Sequence, residues 1–215
     1  RNARSIFASG VSAFATAASS TASTSASTAA TRWRIGAAEA VKLLERFASA
    51  SQPFFLGVGF YRPHTPYVAP QRYFDMYPRD RIVLPALTDA DRDRVPAAAY
   101  RSALNEQDAM TDAQRREAIQ GYLASISFMD AQVGIVLDAL ERLGLADRTV
   151  VVFTSDHGYH LADHGLWQKS SLFERSARVP LVVSAPRVGA SGRVTTSLAE
   201  LVDLYPTLAR LAGLT

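Results

Sequence analysis

Cysteine is absent from the 215 residues. Neither a disulfide nor a thiolate metal site therefore holds the fold, and the redox compartment is left undetermined. No window approaches the roughly 18 consecutive apolar residues of a membrane span, so the chain reads as soluble. An excess of one charge is also lacking: 23 Lys and Arg stand against 20 Asp and Glu, a formal +3 with no dense basic run. That balance does not imply nucleic acid, nor does it oppose an anionic substrate. Bulk is missing from one stretch. Between Ala8 and Thr31 every residue except Gly10, Val11 and Phe14 is Ala, Ser or Thr, too little volume to fill a core. Residues 1–32 are accordingly read as a low-complexity linker or a stretch of uncertain sequence.

What is present suits one sizeable core, with 48% apolar residues. Ala37, Val41, Leu44 and Ala48 recur at helical spacing from Ile35 onward, predicting an amphipathic helix that ends near Ser49 to Ser51. Pro53 then opens an apolar strand through Phe60. Residues 67–111, rich in Pro, Asp, Arg and Tyr, read as a long surface excursion. In it Tyr73, Phe74 and Tyr77 serve either as pocket lining or, the favoured reading, as loop anchors. Thr111 or Asp112 caps a helix running to Leu143, which Gly144 stops. Asp130 within it reads as a solvated position. A helical turn is expected at 171–176, a strand at 179–184, and a helix at 198–211 that Pro206 must kink or restart. Helix alternating with strand is the order of an α/β fold.

The stretch that organises the chain runs from Thr149 to Lys169. Val150, Val151, Val152 and Phe153 suit a strand buried on both faces of a parallel sheet. Directly after it come Asp156, His157 and Gly158, past the carboxyl end of a strand, where ligands bind in open α/β sheets. A carboxylate and an imidazole can coordinate a divalent cation, with Gly158 turning the backbone beneath it. The plainer alternative is a turn whose side chains satisfy only local hydrogen bonds. Lys169, twelve residues on, is the long cation that an anionic substrate would need. A second loop after a strand, residues 61–66, holds His64 between Pro63 and Pro66. The prolines either aim its imidazole or merely stiffen a loop in which it bonds to backbone. His157, His160 and His164 form a series that would suit zinc on a helix. Gly158 and Gly165 make a continuous helix a poor fit, so His160 and His164 are read as pocket rim or structural.

Ser155-Asp156-His157-Gly158, Asp163-His164-Gly165, Trp167, Lys169 and Val179-Pro180-Leu181 together resemble the second metal-binding segment of the sulfatases, in the alkaline phosphatase superfamily. Residues 53–66 resemble the corresponding segment of the iduronate-2-sulfatase-like branch, and Leu201 to Leu208 resembles the helix after its core. The resemblance implies an alkaline phosphatase-like α/β fold with a mostly parallel sheet sandwiched by helices, residues 33–215 forming a C-terminal portion of the catalytic domain. It further implies Asp156 and His157 as metal ligands, for calcium or another divalent cation. Lys169 and His64 become catalytic and substrate-binding, and Arg62 substrate-binding. The family nucleophile is a formylglycine made within Cys/Ser-x-Pro-x-Arg, a motif this sequence does not contain, so the chain is expected to carry one side of an active site. The implied substrate is a sulfated small molecule or carbohydrate, and the implied setting periplasmic, secreted or lysosome-like. Alternatives are a phosphodiester or phosphonate monoester hydrolase, and a noncatalytic anion- or carbohydrate-binding remnant.

Overall fold

A computed structural model describes residues 26–50, 52–86, 93–103, 105–186, 188 and 192–214. Most of the Ala/Ser/Thr-rich stretch, up to residue 25, lies outside them. Helix α1 spans Ala26–Ser49 and so begins well before the expected Ile35. Alanine is the strongest helix former, and no glycine or proline interrupts the run before Gly36. Ala37, Ala40 and Leu44 form its buried stripe, while Glu39 and Lys42 pair at 2.7 Å on the outside.

The chain divides into two compact units, one of Arg1–Tyr61, Ala131–Phe153 and Val182–Thr215, the other of Arg62–Asp130 and Thr154–Leu181. In the first unit Leu44, Ala139, Leu140 and Leu145 make the core, with Phe54, Leu56, Val136 and Val151 packed against them. Phe47 stacks on Phe54 with centroids 4.7 Å apart. Strands β1 (Val151–Thr154) and β2 (Leu181–Ser184) form a two-stranded sheet.

Two expectations are corrected here. Residues 53–60 keep the period of a strand, with Phe54, Leu56, Val58 and Phe60 more buried than Phe55, Gly57 and Gly59, yet they join no ladder among the described residues. A strand is made by its partner, and among the described residues β1 pairs only with β2. Nor is β1 buried on both faces, since Phe153 is 38% exposed, and all of β2 is exposed. Burying both faces of a sheet takes a covering layer on each.

The unit's last helix, α5 (Leu204–Leu211), restarts after a 3-10 turn at Leu201–Asp203. Pro206 falls in the first turn of α5, where a missing N–H costs no hydrogen bond. Asp203 and Glu200 form a capping box, the Glu200 N–H donating to Asp203 Oδ2 at 2.9 Å.

In the second unit the excursion after residue 67 is not structureless. It contains the short helices α2 (Gln71–Phe74) and α3 (Asn105–Asp108), with 3-10 turns at Arg79–Arg81 and Ala97–Tyr100. It is laced to the N-terminal half of helix α4 (Asp112–Arg142). Tyr73 packs on Phe128 at 5.4 Å, the Tyr77 hydroxyl meets Ser127 Oγ at 2.6 Å, and Gln120 Nε2 donates to the carbonyls of Phe74 and Tyr77 at 3.2 and 2.9 Å. Tyr73 and Tyr77 are loop anchors, as expected. Phe74 instead joins Tyr67, Met110 and Gly121 around an open cavity of about 440 Å³.

Helix α4 begins in a reciprocal cap: the Thr111 N–H donates to Gln114 Oε1 at 2.8 Å and the Gln114 N–H to Thr111 Oγ1 at 3.3 Å. It ends at Gly144, whose φ of 65° lets Gly144 N–H reach the Glu141 carbonyl and Leu145 N–H reach that of Leu140. By length and composition α4 would also suffice to cross a membrane, although it contains no long uninterrupted apolar run. Here its Ala124, Ser125 and Phe128 are buried and Asp130 is exposed.

Candidate active site

Strand β1 ends at Thr154, and the turn after it is closed by short-range bonds. Ser155 Oγ donates to the His157 carbonyl at 2.9 Å, and the His157 N–H donates to Asp156 Oδ1 at 3.1 Å. The second bond leaves Asp156 Oδ2 available. His157 Nδ1 lies 2.8 Å from the Gly158 carbonyl. A carbonyl only accepts, so Nδ1 carries the proton and the lone pair sits on Nε2. That Nε2 is 3.6 Å from Asp156 Oδ2. For two electron-rich atoms this is too long for a hydrogen bond, and it is a spacing that a shared cation bridges. The Asp156 side chain is 84% exposed, so a cation and its remaining ligands have access. Among the described residues no group of three or more acidic or histidine side chains converges on a common point, so this pair supplies only part of a coordination shell.

Gly158 is required for a reason other than the expected sharp turn. A Cβ there would overlap the carbonyl oxygen of Arg175, and the Gly158 N–H donates to the Ser176 carbonyl at 2.7 Å. Close backbone approach, and no unusual φ, fixes the residue type.

The Arg62–Pro66 loop carries cis peptide bonds at Arg62-Pro63 and Thr65-Pro66. His64 is exposed and its Nδ1 lies 2.7 Å from the Thr65 carbonyl. Arg62, expected at the substrate, is 5% exposed, and its Nη1 donates to the carbonyls of His64 and Pro66 at 2.8 and 2.7 Å. These bonds make it a clamp that shapes the loop bearing His64. Lys169 is half-buried. Its ammonium forms no ion pair among the described residues, while its carbonyl accepts the Ser171 N–H at 2.8 Å.

His160 and His164 are structural. The His160 ring is fully buried and lies 2.8 Å from Ser171 Oγ. Burial pushes its pKa down, against an upward pull from Asp163. His164, in the left-handed region at φ 56°, stacks on Phe173 at 4.2 Å. The histidine series does not converge as zinc ligands would.

Three tyrosines were not singled out in the sequence. Tyr67 follows the His64 loop and Tyr159 follows the Asp156 turn; Tyr122 of α4 touches both, edge-on to Tyr67 at 5.9 Å and stacked on Tyr159 at 5.4 Å. Burial, followed by hydrogen bonding to Tyr159, pushes the Tyr67 pKa above the usual phenol range. Their signal was position, each of Tyr67 and Tyr159 lying within three residues of a motif histidine. Pairing them took the fold.

The family model for the sulfatases matches residues 11–214. The chain is 37% identical to iduronate 2-sulfatase of Mus musculus over 215 residues, covering 82% of this chain and 39% of that protein. It is 37% identical to choline-sulfatase of Rhizobium meliloti (strain 1021) over 166 residues, 76% of this chain and 32% of that one. Among solved structures, phosphonate monoester hydrolase SpPMH from Silicibacter pomeroyi superposes with a TM-score of 0.67 at 29% identity, covering 81% of this chain and 38% of that chain. The chain thus spans well under half the length of these relatives. With the motif residues, the α/β fold and a family match over nearly its whole length in agreement, the chain belongs to the sulfatase family.

Proposed function

We propose that this chain forms part of a sulfuric ester hydrolase that acts on a sulfated small molecule or carbohydrate. The observation that carries this reading is the Asp156–His157 pair, with Nδ1 committed to the Gly158 carbonyl and Nε2 and Oδ2 facing each other at 3.6 Å. These two side chains would hold the divalent cation that membership of the family implies. Calcium is the first candidate because an exposed carboxylate is a hard-cation ligand, though the imidazole widens the choice. When bound, such an ion supplies a Lewis acid and a fixed positive charge for developing oxyanions.

The chain's own residues supply the rest of one side of the reaction. The Lys169 ammonium, which pairs with no described carboxylate, binds a sulfate oxygen in this reading as S–O cleavage moves charge onto the departing alcohol. His64 hydrogen-bonds a sulfate oxygen or protonates that alkoxide. Arg62 holds the His64 loop in shape from behind. The nucleophile, a formylglycine in this reading, comes from outside these 215 residues.

A second reading, phosphonate monoester or phosphodiester hydrolysis, draws on the likeness to the Silicibacter enzyme. Assaying the complete protein against an aryl sulfate and an aryl phosphate diester in parallel decides between them. In that protein Lys169→Ala and His64→Ala are each expected to lower turnover of the preferred ester at least ~100-fold, the scale of one lost preorganised charge or proton donor. Near-normal turnover in either removes that residue from the site.

A further inference from the structure

The segment from Gly158 to Ser176 folds back on itself through a closed set of hydrogen bonds whose ends lie beside the proposed site residues. Next to His157, the Gly158 N–H donates to the Ser176 carbonyl at 2.7 Å. The Ser171 hydroxyl donates to Ser176 Oγ at 3.0 Å and receives the Phe173 N–H at 3.4 Å. With its proton committed to Ser176, Ser171 Oγ accepts from His160 Nε2 at 2.8 Å, which fixes the His160 tautomer as Nε2–H. Independently of the ring, the main-chain N–H of His160 donates to the carbonyl of Gln168 at 3.1 Å, and the Ser171 N–H to that of Lys169 at 2.8 Å. Lys169 is therefore bracketed on both sides by bonds from this set.

The set is an unusual use of interior space. His160 is 0% and Ser176 3% exposed, and His160 Nδ1 is buried with no hydrogen-bond partner. An apolar side chain would fill the same space without stranding a nitrogen, so the imidazole is there for what its other nitrogen does. Burial disfavours its charged form, which suits a fixed donor and not a proton carrier.

We infer that His160 is a positioning residue for Lys169: through the Ser171 hydroxyl its ring fixes one side of the backbone from which the ammonium projects and ties it to the Gly158 turn, while the main-chain bond to Gln168 holds the other side whatever the side chain. This rests on the reading of Lys169 as the sulfate-binding cation. Misplacing a reacting group by about 1 Å can cost on the order of 100-fold in rate.

The test uses the complete protein and steady-state hydrolysis of an aryl sulfate, with inhibition by inorganic sulfate as a second readout. His160→Leu and Ser171→Ala are expected to lower kcat ~10- to 100-fold and to weaken sulfate inhibition. His160→Gln, whose amide N–H reaches about the place of Nε2, restores kcat to within a few-fold of wild type. In a Lys169→Ala background, His160→Leu and Ser171→Ala have no further effect on either readout. The inference is overturned if His160→Gln is no better than His160→Leu, if Ser171→Ala is fully active, or if the losses recur undiminished without the Lys169 ammonium. Should Lys169→Ala alone leave both readouts unchanged, the reading of Lys169 has failed, and the positioning role falls with it.

Discussion

At Gly158 a side chain has no room, because the carbonyl of Arg175 occupies the place of a Cβ. Gly158→Ala must push that backbone away, breaking the bond to Ser176, at a cost typical of overpacking, about 1–3 kcal/mol. Gly57, exposed and with nothing within 4 Å of its would-be Cβ, is the control. Thermal unfolding of the two alanine variants should show a clearly lower Tm for Gly158→Ala than for Gly57→Ala, and equal values would mean that the contact carries no stability. That Asp156 and His157 follow the carboxyl end of a strand was readable from the β-branched run before them. The roles of Arg62, Gly158 and His160 were not, since each depends on a partner that only folding supplies: the carbonyls of His64 and Pro66, that of Arg175, and the hydroxyl of Ser171.

Helix α4 shows the same division at the scale of elements. Its ends were written locally, in Thr111 and Gly144, and both are used as caps. Its register against the loop after residue 67 was not, because that register is held by scattered side chains such as Gln120 and Ser127. Strands fared worse than helices for a physical reason: a helix satisfies its backbone within itself, whereas residues 53–60 and β1 require neighbours that no local pattern names. Tyr122 is the contact through which α4 touches both Tyr67 and Tyr159. Aromatic pairs contribute about 0.5–1.5 kcal/mol each beyond burial, so Tyr122→Leu should destabilise the protein by about 1–3 kcal/mol in urea unfolding. An unchanged midpoint would show that the ring contacts do not hold these loops.

For the whole molecule, the family was legible from three segments in order, and the family match over residues 11–214 agrees with them. The two compact units were not legible, because each is assembled from segments far apart in sequence. Family membership does not choose a substrate. The relatives include an iduronate 2-sulfatase, a choline-sulfatase and a phosphonate monoester hydrolase. The proposed function turns on whether Asp156 and His157 hold a divalent cation. The most direct measurement is a calorimetric titration of the complete, metal-stripped protein with calcium, repeated with magnesium and manganese, for wild type and Asp156→Asn. The account predicts saturable binding of a divalent cation by wild type and affinity at least ~10-fold weaker in Asp156→Asn, the least that losing a direct ligand should cost. Equal affinity in the two proteins would contradict it.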